Sequence, residues 1–512
     1  SITRWDTIKF SNDAGSCYDR IIASPSNVVA RSRGLHSNIA EIHGSMLEHA
    51  VYRIKTQLGV SKNGYSHSID SPVFGTGQGS CSSPLVWNLN GSLYFDIYDS
   101  NCHGANYIAI DGSSQLRIGM AGFVDDNSSQ TNCHPSQRNV LIQNATHDAQ
   151  LWSDILWSSG GVLEHAKCSY HYIRTDFDKH GAPVMRSGCH GEPITIKDNL
   201  GRPTTLQQLS VYTAYKTLGT YQCPGTAQKS QYDALLKKST TLVRTLATSS
   251  CRGYSAWMFF SSVYCTSIGY PLAVSRMTEK QLLKIQKPMI PLILNKLGYG
   301  RNLSRCLTFG PRHFGGLGIS HLHNLQITSQ LSLFLRHLRT KGQPHDLLRI
   351  NLSRLQHTAG VSFPVLEFPT RRLPHLEGST LLHLRTSLGL LNGSLQISDI
   401  SIPELQRDHD SYIMDLALSL PFSDRDIRFI NYCRIYLQAT TISDLCTATG
   451  THLQKGVISG LLFQPRSSSK LSEPHQERPG VLAWRAWRRF LKLFSNPQGR
   501  LLRRLGAWRY SP

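Results

Sequence analysis

The sequence predicts an α+β fold, with an antiparallel sheet and packed helices in residues 1–225 and a mainly α-helical remainder. Alternating apolar and polar residues at 6–12 and from 116 onward indicate strands. Longer segments between them carry apolar residues at helical spacing. After Lys216 strand-like runs become rare and helical patterns follow one another. The chain has 512 residues, 40% of them hydrophobic, which is enough for about two to four folded domains.

Each predicted element has a local signal, such as Pro84 in the first turn of the helix that it helps to begin. In chain order, the sequence predicts a strand at 6–12, helices at 20–33 and 37–58, a Gly-rich loop at 75–79, a helix from Ser83 to about Tyr98, a hairpin with strands at 116–124 and from 128 onward, a helix at 135–158, strands at 168–174 and 183–187, and helices at 226–247, 254–270 and 277–297.

The C-terminal third has no fixed-period repeat. Residues 310–460 are rich in Leu, His and Arg, and the polar, Pro-containing segment 467–479 predicts a linker. The basic and aromatic segment 484–494 fits three interpretations: an amphipathic helix on nucleic acid, the same helix on an acidic membrane surface, or a solvated terminal helix with a few packed aromatic residues.

Charge and cysteine usage narrow the class of protein. Lys and Arg outnumber Asp and Glu 54 to 33, a net charge of +21, which favours a polyanionic partner, most commonly nucleic acid, over a generally basic soluble protein. The twelve cysteines form no C-x-x-C pair, which indicates reduced thiols rather than a zinc module. We expect an intracellular protein, in nucleus or cytoplasm, because neither an apolar run of about 18 residues nor a signal peptide is visible.

Asp13 ends the first predicted strand. Its carboxylate and the carbonyl oxygen of Ala14 are hard oxygen ligands of the kind that Mg²⁺ prefers. Tyr18 could lie flat under a sugar ring and exclude a 2′-hydroxyl. An isolated Asp is also a common helix N-cap, so the residue by itself leaves both interpretations open. Asp19 is expected to pair with Arg20 or a nearby amide rather than with a metal ion.

Asp125 and Asp126 lie at the turn of the predicted hairpin. An Asp-Asp pair is common in surface turns. However, a third acid at another strand end, Asp13, changes the interpretation, because crowded carboxylates repel one another and divalent cations relieve that repulsion. The acids therefore predict a site for two Mg²⁺ ions, or Mn²⁺ in their place, which is the site chemistry of nucleotidyl transfer.

The loop that begins at Phe74 alternates glycines at 75, 77 and 79, unlike the dinucleotide-binding fingerprint. Glycines allow a ligand to approach the backbone closely. Gln78 offers a donor and an acceptor to a nucleotide or a template sugar, and Gly79 follows it. The alternative is a flexible loop that precedes a helix.

Together these motifs resemble reverse transcriptases, most closely those of non-LTR retrotransposons, and they occur in the family's order. The segments that carry the resemblance are Asp13 to Tyr18 (first palm motif), Gln78-Gly79 with Ser83-Pro84 (second), Phe123-Val124-Asp125-Asp126 (third), Gly161 to Cys168 (fourth) and Tyr215-Lys216-Thr217-Leu218-Gly219 (the hairpin that grips the primer).

The resemblance implies addition of deoxynucleotides to a primer 3′-hydroxyl, with an RNA template, a DNA primer and dNTPs as partners. It implies that Asp13 and Asp125 are the primary ligands of two Mg²⁺ ions, and that Asp126 is a further ligand or tunes the site. Ala14 would contribute a backbone carbonyl, and Tyr18 would select the sugar.

Three more residues take roles from the resemblance. Lys167 would donate a proton to the departing pyrophosphate as a general acid, the alternative being a solvent-exposed lysine. Leu218 and Gly219 would position the primer through backbone contacts.

The resemblance also implies a division of the chain. Residues 1–225 would form a right-hand polymerase palm, 226–300 a helical thumb, 301–465 an α-rich domain of unknown role, and 466–512 a basic linker and tail. Since the fingers of the family precede its first motif, we expect the chain to be a fragment that lacks most of the N-terminal fingers.

Three alternatives remain beside this interpretation. An RNA-dependent RNA polymerase is disfavoured by Tyr18, because a bulky residue there disfavours ribonucleotides. A group II intron maturase has a related polymerase. A retroelement remnant that binds RNA without synthesising DNA would keep the fold and lose the chemistry.

Overall fold

The computed structural model describes residues 3–15, 17–66, 68, 75–76, 81–225, 228–398, 400, 402–460 and 474–509. It is a mixed α/β structure in which helices outweigh strands. The strands are β1 (Asp6–Asp13), β2 (Val51–Tyr52), β3 (Lys55–Thr56), β4 (Gly59–Val60), β5 (Tyr65–Ser66), β6 (Ala105–Ile108), β7 (Gln115–Ile118), β8 (Met120–Phe123), β9 (Asp126–Cys133), β10 (Ser169–Ile173), β11 (Thr175–Phe177), β12 (Pro183–Met185), β13 (Thr195–Lys197), β14 (Pro203–Thr205), β15 (Gln207–Leu209), β16 (Tyr215–Thr217) and β17 (Thr220–Gln222).

The helices follow the same order along the chain. They are α1 (Ala23–Ser32), α2 (Ser37–Glu48), α3 (Ser83–Asn101), α4 (Arg138–Ser158), α5 (Lys229–Thr248), α6 (Gly253–Met258), α7 (Thr266–Gly269), α8 (Glu279–Gln286), α9 (Met289–Lys296), α10 (Arg305–Phe309), α11 (Leu322–Arg339), α12 (Gln343–Ala359), α13 (Thr380–Leu390), α14 (Ile413–Ser419), α15 (Asp424–Tyr436), α16 (Lys455–Ser459) and α17 (Val481–Leu491). A π-helical segment, Phe259–Cys265, joins α6 to α7.

The largest sheet has the strand order β15-β10-β1-β9-β8, with β1 in the centre. β1 pairs antiparallel with both of its neighbours. The edge strand β15 runs parallel to β10. The prediction of a purely antiparallel sheet was therefore wrong at this edge, where a long connection brings the chain back in the same direction as β10.

The two faces of β1 have different environments because successive side chains point to opposite sides of a sheet. Ile8 and Phe10 are fully buried, and together with Trp152 of α4 they belong to the first hydrophobic core. Lys9 and Asp13 lie on the opposite, more polar face and are partly exposed. The strand therefore fixes Asp13 on a polar surface while its other face anchors the sheet.

Three hydrophobic cores organise the chain. The first joins the main sheet to α3 and α4, the second extends from α5 to the start of α11 at Leu322, and the third extends from Phe334 of α11 to residue 505. The division at 225, 300 and 465 predicted from the sequence stays a prediction, although the third core crosses the last of these limits. Trp484, Trp487 and Phe490 of α17 are buried in that core, whereas the predicted division placed them in a tail.

Most predicted elements in residues 1–300 are confirmed within a few residues, and one long helix is not. The helix expected at 37–58 ends at Glu48, and two small hairpins, β2–β5 and β3–β4, follow it. The β-branched Val51 and Ile54 fit an extended backbone better than a helix. The predicted helix 277–297 is divided into α8 and α9 at Pro288, as expected for a residue that lacks an N–H donor.

Among the described residues, every helix is too short or too polar to cross a bilayer.

Candidate active site

The polar end of the main sheet brings two of the predicted acids together. In the β1–β9 ladder Asp13 is the direct partner of Asp126. Partner residues in an antiparallel pair have Cβ atoms about 5 Å apart and point to the same face. The Asp13 side chain is 25% exposed, and Asp126 is also partly exposed. Strand register, which the sequence alone does not specify, therefore makes Asp126 a direct neighbour of Asp13 across the ladder.

Asp125 occupies the turn of the β8–β9 hairpin. Its residue is exposed, and its backbone carbonyl accepts a hydrogen bond from the N–H of Ala14 at 3.4 Å. The preceding Val124 has a φ of 58°, a strained conformation for a β-branched residue. The indole N–H of Trp87 donates to the Val124 carbonyl at 2.8 Å and thereby holds the turn against α3. Sequence reasoning missed Trp87, which carries no local motif.

The β16–β17 hairpin meets the acids at its tip. Leu218 and Gly219 form a two-residue turn with φ values of 45° and 75°, the positive pair that a type I′ turn requires. The backbone N–H of Leu218 donates to the Asp126 carboxylate at 3.3 Å. The predicted primer-gripping residues thus lie beside an acid of the third motif, which is 92 residues away in sequence.

Lys167 contacts Asp13. Its Nζ is 3.5 Å from the Asp13 carboxylate, and its side chain is 63% exposed. The chain before it is fixed to β1 by the Glu164 N–H, which donates to the Asp13 carbonyl at 3.0 Å, and by a bridge between Ala14 and Leu163. The exposed ammonium can therefore pair with Asp13 or turn toward a ligand.

Tyr18 is partly buried in the 3₁₀ turn Cys17–Arg20, and its ring meets Trp87 edge-on with the ring centroids 6.3 Å apart. The predicted loop reaches the same place: the N–H of Thr76 donates to the Tyr18 carbonyl at 2.9 Å. Gly75 has a φ of 98°, and a Cβ there would lie 2.5 Å from the Cα of Asp19, so this glycine serves backbone packing. Gln78 and Gly79 lie outside the described residues.

The negative charges of Asp13 and Asp126 affect the pKa of a tyrosine on the neighbouring β16–β17 hairpin. Burial, together with the negative charges of Asp126 and Asp13, raises the pKa of Tyr215 to about 12. The phenol therefore stays neutral at physiological pH and is available as a hydrogen-bond donor. On the same face of the sheet, His171 Nε2 lies 3.0 Å from the Thr213 carbonyl, and burial lowers the pKa of this imidazole.

Asp13 and Asp126 have the chemistry of a Mg²⁺ site: two carboxylates on one face, with the Ala14 backbone beside them. Among the described residues, however, the three side chains that place their ligand atoms within 4.8 Å of one another are those of His103, His147 and Asp148. The acids of the candidate site do not form such a group of three. The arrangement therefore brings two carboxylates together, while a metal ion at this pair, the role of Asp125 and a second ion all stay predictions.

The cluster around Asp148 is accounted for by hydrogen bonds. The buried carboxylate receives the N–H and Nδ1 of His103, both at 2.9 Å, the N–H of Gly104 at 3.2 Å, the Thr131 hydroxyl at 2.6 Å and Nδ1 of His147 at 3.2 Å. Burial acts to raise the pKa of Asp148, but these donors outweigh it and lower that pKa below its ordinary value. The carboxylate joins α4 to β9 and to the chain after α3.

Comparison with known proteins gives limited information. No family model and no curated protein matches the sequence. Among solved structures, telomerase from Candida albicans, in complex with the TWJ fragment of telomeric RNA, is 14% identical with a TM-score of 0.25, over 64% of this chain and 47% of the other. Two structures of telomerase from Candida tropicalis are each 12% identical and cover 67% of this chain: the apo form has a TM-score of 0.25 with 52% of its chain covered, and the form with the TWJ fragment has 0.23 with 49%.

This chain thus spans about half the length of the telomerase chains that it matches. TM-scores this low carry no argument about the fold or the function of this chain.

Proposed function

We propose that this chain is a template-directed DNA polymerase of the reverse-transcriptase type, from a retroelement protein that copies RNA into DNA. The observation that carries the proposal is the meeting of four sequence motifs at one end of the main sheet. Asp13 faces Asp126 across the β1–β9 ladder, the Leu218 N–H contacts Asp126, and Lys167 contacts Asp13. Stability of the fold alone does not require motifs so distant in sequence to meet at two partly exposed acids.

Each group has a task in this proposal. Asp13 and Asp126, with Asp125 and the Ala14 carbonyl, would hold Mg²⁺, which when bound lowers the pKa of a primer hydroxyl and neutralises phosphate charge. The β16–β17 hairpin would place the primer end beside Asp126 through its backbone. Lys167 would leave Asp13 and donate a proton to the pyrophosphate. Exposed cations beyond the palm would hold the template and primer by their phosphates, as the net charge of +21 favours.

The experiment is primer extension by the purified chain on an RNA template with a DNA primer, dNTPs and Mg²⁺, compared with the same reaction after chelation by EDTA. We expect extension that requires both the metal ion and the template. Absence of extension, in protein that still binds the template–primer, would contradict the polymerase proposal.

The second candidate is a remnant that binds RNA without catalysis. One observation favours it: the oxygens of Asp13, Asp125 and Asp126 do not form a cluster within 4.8 Å in the described part of the chain. Extension by the wild-type chain that disappears with Asp126→Asn excludes this candidate, whereas template binding without extension supports it. A maturase-like role would instead require intron splicing to be stimulated by the chain.

Tyr18 provides a test of sugar selection. We expect Tyr18→Ala to improve use of ribonucleotides relative to deoxynucleotides by about tenfold or more, because removal of the ring opens space for a 2′-hydroxyl. The measurement is the ratio of kcat/KM for a ribonucleotide and its deoxy counterpart in primer extension. Tyr94→Ala is the matched control, since the Tyr94 ring also meets Trp87 edge-on, at 6.4 Å, from helix α3. An equal change in both variants would assign the effect to loosening of Trp87 and not to a sugar gate.

A further inference from the structure

Helices α15 and α17, which pack together in the third core, form a concave, basic surface on their solvent side. It has a volume of about 580 Å³, and we call it the basic groove. Its lining residues are Ser423, Arg425, Asp426, Phe429, Leu482, Arg485, Arg488, Arg489 and Lys492. Ala14 and Val124, the chain neighbours of the candidate active-site acids, belong to the first core, whereas the buried residues of α17 belong to the third, so the groove is a separate feature of the molecule.

The groove arises from the amphipathic pattern of its second helix. Arg485, Arg488, Arg489 and Lys492 are spaced i, i+3, i+4 and i+7, which places them on one face, and all four are exposed. The opposite face is apolar: Trp484 is 4% exposed, and Trp487 and Phe490 are fully buried. Burial of the aromatic face fixes the helix rigidly and aims the cations outward.

The acidic residues that line the groove do not balance its positive charge. Five cations face one carboxylate, that of Asp426, which accepts from Arg489 Nη2 at 2.6 Å. Arg425 lies over the Phe429 ring at 5.2 Å, so its guanidinium is also held in place. Like charges at this density repel one another and destabilise the free surface, and a bound polyanion removes that repulsion.

The shape of the groove and the burial of the aromatic face of α17 distinguish between two candidate partners, an anionic membrane surface and a nucleic acid. Peripheral helices that bind membranes insert Trp, Phe or Leu side chains into the lipid interface. Here Trp484, Trp487 and Phe490 are occupied by the core, and Leu482 is the exposed apolar residue among those that line the groove. A concave row of guanidinium groups instead suits successive phosphates, which arginine binds through pairs of parallel hydrogen bonds.

We propose that the basic groove binds the phosphodiester backbone of a nucleic acid strand, at a site separate from the candidate active site. Contacts to phosphate position a strand without reading its sequence. This inference does not depend on polymerase activity, because an inactive chain would keep the groove.

The test uses the full chain and two variants of equal charge. The groove variant carries Arg485→Gln, Arg488→Gln and Lys492→Gln. The control variant carries Arg336→Gln, Arg339→Gln and Lys341→Gln, which removes two exposed arginines and one exposed lysine at the end of α11. Binding to single-stranded RNA and to duplex DNA is measured by fluorescence anisotropy across a series of KCl concentrations, after circular dichroism has established that each variant is folded.

We expect the groove variant to bind about 10- to 100-fold more weakly at low salt, with a slope of log affinity against log salt that is smaller by about 2 to 3, one phosphate contact for each lost cation. The control should change the slope by less than about 1. A loss with either RNA or DNA supports the proposal and identifies the strand. Equal losses in both variants, no loss in the groove variant, or loss only of binding to phosphatidylserine vesicles would overturn it.

Discussion

Replacement of Asp126 or Asp13 by Asn is expected to lower Mg²⁺-dependent primer extension by at least about 10³-fold while template binding remains. The two carboxylates are direct partners in the β1–β9 ladder, so each variant removes one of the negative charges that would hold an ion. Asparagine retains the size of the side chain and can still accept the Leu218 N–H. The loss should therefore appear in kcat rather than in the affinity for template and primer, measured by single-turnover extension and anisotropy.

Asp19→Asn is the matched control for these variants. Asp19 is an exposed acid in the same motif as Asp13, and its backbone packs against Gly75. Its replacement should change extension by no more than about twofold, because exposed acids outside a site contribute little. A loss as large as that of Asp126→Asn would show that extension reports net charge rather than a particular site.

Asp125→Asn tests whether the turn acid belongs to the site. We expect a loss similar to that of Asp126→Asn, as its assignment as a primary ligand requires. Retention of more than about a tenth of the wild-type rate would restrict the site to the pair that the strand register defines.

Asp148→Ala is expected to destabilise the first core by about 3–5 kcal/mol, the largest loss of stability that we predict. The substitution leaves five donors without an acceptor, among them the backbone N–H of His103 and the buried N–H of Gly104. Thr131 on β9 would also lose its contact with α4. Hydrogen exchange measured peptide by peptide should reveal faster exchange in α4 and at 102–104, and the transition for chemical unfolding of this core should move to lower denaturant.

Asp154→Ala on the same helix is the control, since Asp154 is exposed and accepts one hydrogen bond, from Gln150. Its effect should remain below about 0.5 kcal/mol. If Asp148→Ala behaved like Asp154→Ala, the carboxylate would not join the helix to the sheet.

The pH dependence of Asp148 has a definite sign. Its donors lower the pKa in the folded state, so the carboxylate contributes stability above the ordinary pKa of Asp, near 4, and loses that contribution as pH falls through the folded value. Asp148→Asn cannot titrate. The difference in unfolding free energy between wild type and this variant should therefore shrink as the pH is lowered below about 4, and a difference that stayed constant would contradict this account.

The sequence by itself was sufficient for many of the local elements. Pro84 predicted the start of α3, apolar spacing predicted α4, and alternation and turn residues predicted β1 and the β8–β9 hairpin, whereas the break between α8 and α9 at Pro288 was missed. The successful predictions rest on helix and strand periodicities, which can be recognised among residues close together in the sequence. The prediction of a helix over 37–58 failed after Glu48, where the β-branched Val51 and Ile54 fit an extended backbone better than a helix although their spacing is helical.

Tertiary structure alone decided which acids meet. A one-residue change in register would have turned Asp126 away from Asp13, and strand register depends on side chains across the sheet rather than on local sequence. The contact of Leu218 with Asp126, the anchor that Trp87 provides for Val124, and the burial of the aromatic residues of α17 join segments distant in sequence. Periodicity predicted that α17 has two faces, and packing determined that its aromatic face lies in the core, which leaves Arg485, Arg488 and Lys492 exposed on the other face while Arg489 pairs with Asp426.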